Sequence, residues 1–291
     1  MENLLVNKVA AVKEVRQAAE YQKKKQACIL TGLAGSSKPV FFAAADKLLG
    51  GKGSMAFITA SREEIRTYRR ELNYLYPDLP MQELYPVSLP RVQADTQSLE
   101  LQAGRAAALR FLGGEERGIV FITAEALQQK QLRPSGMSGK ALQLAVGEEH
   151  EQRNIAAALL DLGYERTEQV DALGQFCLRG DILDVYPINS STAVRIEWFD
   201  NELDAMRSFD VDTQRSLQTL TSIKIAPLKV DESFSYDADI FEYCAADTMV
   251  VVDEPVHVFS MLEKLDKENK EHASELFGKQ ELIEQLAANG A

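Results

Sequence analysis

The sequence predicts an α/β chain: a parallel-sheet domain interrupted by a small inserted α+β domain. Three observations carry this. Over residues 27–130, short apolar runs alternate with amphipathic stretches of helical spacing, the pattern of βαβ units with helices on both faces of a sheet. From about residue 142 the strand candidates crowd together, as in an antiparallel unit. After about residue 228 the α/β character returns.

Taken in order, residues 1–26 alternate charged and apolar residues at helical spacing. ACIL (27–30) is the first strand candidate and runs into TGLAGSSKPV. KPVFFAAADKLL is the next helix, SMAFITA (54–60) a strand, and SREEIRTYRRELNYLY a helix opened by a Ser61/Glu64 capping box. QELYPV (82–87), the helical TQSLELQAGRAAALRFL and GIVFITA (118–124) complete this part. The insert begins with the helical EEHEQRNIAAALLDLGY, followed by strand candidates EQV, QFCLRG, ILDVYP, AVRIEWFD and TSIKIAP (221–227). Then come a helix-like DADIFEYCA, the strand TMVVV, the pair Asp253 and Glu254, and a charged tail, EKLDKENKEHASELFGKQELIEQ, expected as a solvated helix. The expected divisions are an N-terminal helix (1–26), an α/β part (27–141), the insert (142–227) and a return to the α/β part (228–291).

Composition narrows the function classes. The 291 residues are 45% hydrophobic and 26% charged, ordinary globular material. A net charge of −12 opposes any general coating of nucleic-acid phosphates. Three distant cysteines suit reduced thiols rather than a disulfide frame. The three histidines form no ligand spacing with them, so no metal site is expected. With neither a signal-type segment nor about 20 consecutive apolar residues, the chain is expected to be cytoplasmic and to have no membrane partner.

The loop TGLAGSSKPV is half of a phosphate-binding loop. The pattern G-x-x-x-x-G-K-[ST] needs a glycine before its lysine so that backbone N–H groups reach the phosphates, and a hydroxyl after it for Mg²⁺. Gly32 opens the loop, Gly35 lies within it, and Lys38 fills the lysine slot. Ser37 stands where the second glycine belongs, and Pro39 removes both an N–H and the metal-binding hydroxyl. Proline suits a first helical turn, so a strand-loop-helix unit is expected to survive while nucleotide chemistry lapses.

In AVRIEWFD, strand alternation puts Val194, Ile196 and Trp198 on the core face and Arg195, Glu197 and Phe199 on the outer one. In QFCLRG the same rule buries Phe176 and Leu178 and turns Cys177 and Arg179 outward. Two arginines and a phenylalanine on one surface have the composition of an interface anchor. The competing reading pairs the arginines with Glu197 or Asp181 and packs Phe199 beneath a loop.

GLAGSSKP, then GQFCLRGDILDVYP and VRIEWFDNELDAMRSFDVDTQRSL, then VVVDEP, follow the order seen in the N-terminal module of the bacterial transcription-repair coupling factor (Mfd) family, which is similar to the repair helicase UvrB. The resemblance spans about residues 27–270 and is most specific at RGDILDVYP and FDVDTQRSL. It implies a degenerate P-loop NTPase domain of RecA/helicase type with Asp253 and Glu254 in the Walker B place. It also implies that the insert docks UvrA through Arg179, Arg195 and Phe199 and recruits it to stalled RNA polymerase. Such a chain is an N-terminal fragment with no catalytic residue, metal or cofactor of its own. RNA polymerase and DNA would be met through domains absent from it, and ATP and Mg²⁺ belong to the full-length motor. The alternative is a UvrB-type ATPase or helicase fragment using Lys38, Asp253 and Glu254. Against UvrB itself, LYPVSLPRVQADTQSLE leaves no room for that family's DNA-probing hairpin.

Overall fold

The computed structural model describes residues 4–89, 99–133, 141–228 and 236–289, so residues 90–98, where a hairpin would start, lie outside it. The chain forms two compact units, one of residues 1–94, 108–131 and 237–291 and one of residues 95–107 and 132–236.

The first unit opens with α1 (Leu4–Ala10), α2 (Lys13–Lys23) and α3 (Ser37–Leu48). Four parallel strands follow in space, β1 (Met55–Thr59), β2 (Met81–Leu84), β3 (Ile119–Thr123) and the late β14 (Met249–Val252), in the order β14-β1-β3-β2. Between them run α4 (Arg62–Leu75), the end of α5 (Leu99–Leu112) and α6 (Ala124–Gln128). Strands β1 and β3 are buried at every position because both faces of the sheet are covered. Met55, Phe57, Ile119, Phe121 and Met249 point to one layer, packed by α1 to α4. Ala56, Ile58, Val120, Ile122 and Val250 point to the other, packed by α5, α6 and the C-terminal helices. The period of two thus generates two cores from one sheet. The Ser61 N–H donates to the Glu64 carboxylate at 3.0 Å, the expected device at the start of α4.

Three expectations fail here. ACIL forms no strand: Ala27 to Leu30 have no sheet partner, and Ile29 is 91% exposed. Four residues of apolar composition need a neighbouring strand to accept their backbone bonds, and among the described residues none stands beside them. The charged tail is not one solvated helix. It divides into α8 (Pro255–Glu268), a 3-10 segment at Lys270–Glu275, and a last helix, Lys279–Ala288, here α9 after the insert's α7 (Gln152–Asp161). Phe277, Leu282 and Leu286 are buried in the core, so the apolar minority of this segment, not its charge, sets its fate. DADIFEYCA yields no α-helix: its first two residues end the strand Tyr236–Ala238, and Ile240–Tyr243 form a 3-10 turn capped by the Asp239 carboxylate.

The second unit is built on six strands in the order β11-β10-β9-β8-β7-β6. They are β6 (Glu165–Arg166), β7 (Gln175–Arg179), β8 (Ile182–Val185), β9 (Ala193–Phe199), β10 (Glu202–Phe209) and β11 (Ser216–Leu220). All neighbours are antiparallel except β6 and β7. EQV forms no strand; β6 lies just before it and Val170 drops into a small core. Strands β10 and β11, not anticipated, extend the sheet as a hairpin. Helix α7 covers the sheet's inner face with Ile155, Ala156 and Leu159, beside the paired β5 (Leu142–Ala145) and β12 (Ser222–Ile225). The chain leaves and rejoins the first unit at β4 (Gln131–Leu132) and β13 (Tyr236–Ala238), which pair.

Candidate functional site

In the phosphate-type loop, Gly32 (φ +82°) and Gly35 (φ +50°) hold the left-handed turns that only glycine adopts readily. Ser37 then closes the loop on itself: its hydroxyl accepts the Ala34 N–H at 2.9 Å and donates to the Ala34 carbonyl at 2.8 Å. The Ser37 and Lys38 N–H groups donate to the carbonyls of Ala34 and Gly35, each at 3.2 Å. Three backbone donors of the loop, those of Ala34, Ser37 and Lys38, are thus spent inside it rather than on a phosphate. Pro39, buried in the first turn of α3, leaves the helix intact as expected.

Lys38 turns toward the acidic pair. Its ammonium donates to Asp253 at 2.7 Å and to Glu254 at 2.6 Å. Burial by itself would lower the lysine pKa, but hydrogen bonds and charge from the two carboxylates raise it overall. Glu254 is shifted down, first by its hydrogen bond from Lys38. Asp253 follows β14, and Glu254, at φ +43°, precedes α8 with Pro255 in its first turn. The buried Tyr68 hydroxyl lies near Asp253 without making a hydrogen bond; burial, then the carboxylates, push its ionisation up. Among the described residues no cluster of histidine, cysteine, aspartate or glutamate has metal-holding geometry.

In the second unit, cross-strand pairing aligns Cys177, Asp184, Arg195 and Arg207 in one row over β7 to β10. Asp184, 2% exposed, is the hub. Its two oxygens accept the Arg195 Nε at 2.6 Å and Nη2 at 2.8 Å, and the Arg179 Nη2 at 3.3 Å. Arg195 also donates to Gln214 at 3.1 Å and lies over the Phe209 ring at 4.7 Å. Its pKa is raised, first through the Asp184 hydrogen bond. Arg207 pairs with Glu197. At the end of β9, Phe199 is 72% exposed.

The outer face therefore carries all three expected residues, but not as pictured. Neither arginine pairs with Glu197 or Asp181, and Phe199 is not covered. Cys177 points to this face yet is buried with Val170, Ala193 and Phe209 in a second small core, while Leu178 on the inner face is only partly buried. Asp184, Arg207 and Gln214 went unnoticed in the sequence. ILDV offered a signal for the first, since an aspartate inside an apolar strand run demands a buried cation. The Gln214 signal was harder to read: FDVDTQRSL folds as a turn in which Asp210 accepts the Thr213 N–H at 2.7 Å, leaving Gln214 at φ +58° with its carbonyl aimed at Arg195.

Comparison with known proteins places the chain among sequence relatives. Residues 142–230 match the family model of the UvrB interaction domain. The chain is 36% identical over 203 residues to the transcription-repair-coupling factor of Bacillus subtilis, covering 69% of this chain and 17% of that protein. It is 32% identical over 202 residues to that of Staphylococcus haemolyticus, 69% and 17% of the two chains. With that of Escherichia coli it shares 28% over 165 residues, 57% and 14%. The chain spans no more than 17% of the length of these relatives. The chain is thus similar to one part of the transcription-repair-coupling factors, and the match to the UvrB interaction domain falls within its second compact unit.

Proposed function

We propose that this chain is a UvrB-like module of a transcription-repair coupling factor that recruits UvrA to stalled RNA polymerase in transcription-coupled nucleotide-excision repair, and that it turns over no nucleotide. The supporting observation is the outer face of the UvrB interaction domain, where guanidinium groups and an open aromatic ring lie on one sheet. Guanidinium forks suit carboxylates of a partner, and an uncovered phenylalanine suits an apolar pocket. Contacts with RNA polymerase and DNA are assigned to the much larger remainder of such a protein. The first unit is read as a degenerate P-loop NTPase domain of RecA/helicase type: parallel strands, a glycine loop leading into α3, and an acidic pair after β14. Three of its loop N–H groups are used internally and its lysine is held by Asp253 and Glu254, which favours a scaffold over an ATPase.

Calorimetric titration with UvrA tests the reading. Arg179→Ala and Phe199→Ala are the discriminating variants, since both side chains are mostly exposed and their loss leaves the core intact. Each is expected to weaken binding by about tenfold or more. Wild-type chain that fails to bind, or Mg²⁺-dependent ATP turnover by this chain, would sink the proposal.

A further inference from the structure

The two arginines of this face are not equivalent. Arg195 has its Nε and Nη2 on Asp184, shares Nη2 with Gln214, and stacks on Phe209; its side chain is 17% exposed. Arg179 touches the same carboxylate through one nitrogen only, at 3.3 Å, and its side chain is 55% exposed. The Asp184 carboxylate is 2% exposed, and its side-chain hydrogen bonds among the described residues are those from Arg179 and Arg195. A carboxylate removed from water is costly unless bidentate geometry repays it, and here the geometry is bidentate.

We propose that Asp184 is a positioning residue of the docking face: it holds Arg195 as the frame and sets the orientation in which Arg179 offers its remaining donors to an acidic partner surface, with Phe199 as the apolar anchor. The inference rests on the docking function proposed above. Phe199 is four residues from Arg195 along β9, about 13 Å at strand rise, so the polar and apolar anchors address separate patches of the partner. A planar fork fixed by a buried carboxylate loses less freedom on binding than a free side chain, so pre-orientation adds affinity without adding a contact.

The sign of one substitution separates positioning from charge. Asp184→Asn removes a negative charge beside two arginines, so attraction alone predicts tighter binding to an acidic partner. Positioning predicts the reverse. In titrations of the chain with UvrA, Asp184→Asn is expected to bind about tenfold more weakly, and the loss is expected to vanish when Arg179→Ala is already present. Arg179→Lys, which keeps the charge but not the fork, covers the case in which Asp184→Asn fails to fold; it is expected to lose a similar factor with an unchanged melting temperature. If wild type binds and Arg179→Ala weakens it, while folded Asp184→Asn binds as tightly or more tightly, or Arg179→Lys binds like wild type, Asp184 has no positioning role. Wild type that does not bind at all overturns the docking function instead.

Discussion

Lys38 sits where a P-loop lysine would, yet its contacts make it a counter-ion for Asp253 and Glu254. Lys38→Met strands the Asp253 carboxylate, which is 10% exposed, and is expected to cost about 2–3 kcal/mol in chemical denaturation. An ATPase reading predicts instead that Mg-ATP raises the wild-type melting temperature and that the variant loses this gain. The pH dependence has a definite sign. Glu254 has a depressed pKa, so its share of stability is present above the unfolded carboxylate value of about 4.3 and fades as pH falls through its lower folded value. Lys38 has a raised pKa, so its share is complete below about 10.4 and fades as pH rises through its higher folded value. Denaturation midpoints measured across pH should lose both flanks in Lys38→Met. On the outer face of the insert, Arg195→Glu would set a carboxylate against Asp184; its expected loss of stability makes it a test of folding rather than of contact.

At the scale of elements, amphipathic helices and buried strands were readable because their patterns are local. Helices α4 and α7, and strands β1, β3, β9 and β14, lie within the segments their periodicity marked, and α3 starts one residue before its own. ACIL shows the opposite: a short apolar run of strand composition has no strand without a partner. The C-terminal segment shows why charge misleads. Leu282 and Leu286, four residues apart on α9, are buried among many charged neighbours, and the helix docks by that narrow stripe. Leu286→Ala is expected to lower stability by about 2–4 kcal/mol, read as a fall in denaturation midpoint at constant slope; a solvated helix would show almost no change.

For the molecule as a whole, net charge and thiol exposure make two further predictions. With −12 overall and its outer-face arginines largely paired with Asp184 and Glu197, the chain is expected to show no submicromolar, salt-dependent affinity for DNA in filter binding. Cys28 is exposed, Cys177 is buried, and burial pushes the Cys244 thiol up to about 12. Alkylation of native protein near neutral pH should modify Cys28 and spare the other two until unfolding, as mass mapping would reveal.

The sequence by itself determined the α/β class, the antiparallel insert, the missing glycine and hydroxyl of the loop, and the side of β9 on which Arg195 and Phe199 lie. These follow from periodicities of two and 3.6 and from the stereochemistry of single residues. Only the tertiary structure decided what each polar group does. Lys38 meets residues 215 and 216 positions away, and Arg195 meets Asp184 and Gln214 through sheet register and a turn. Charge pairing depends on distance in space, and that distance exists only once the strands have paired.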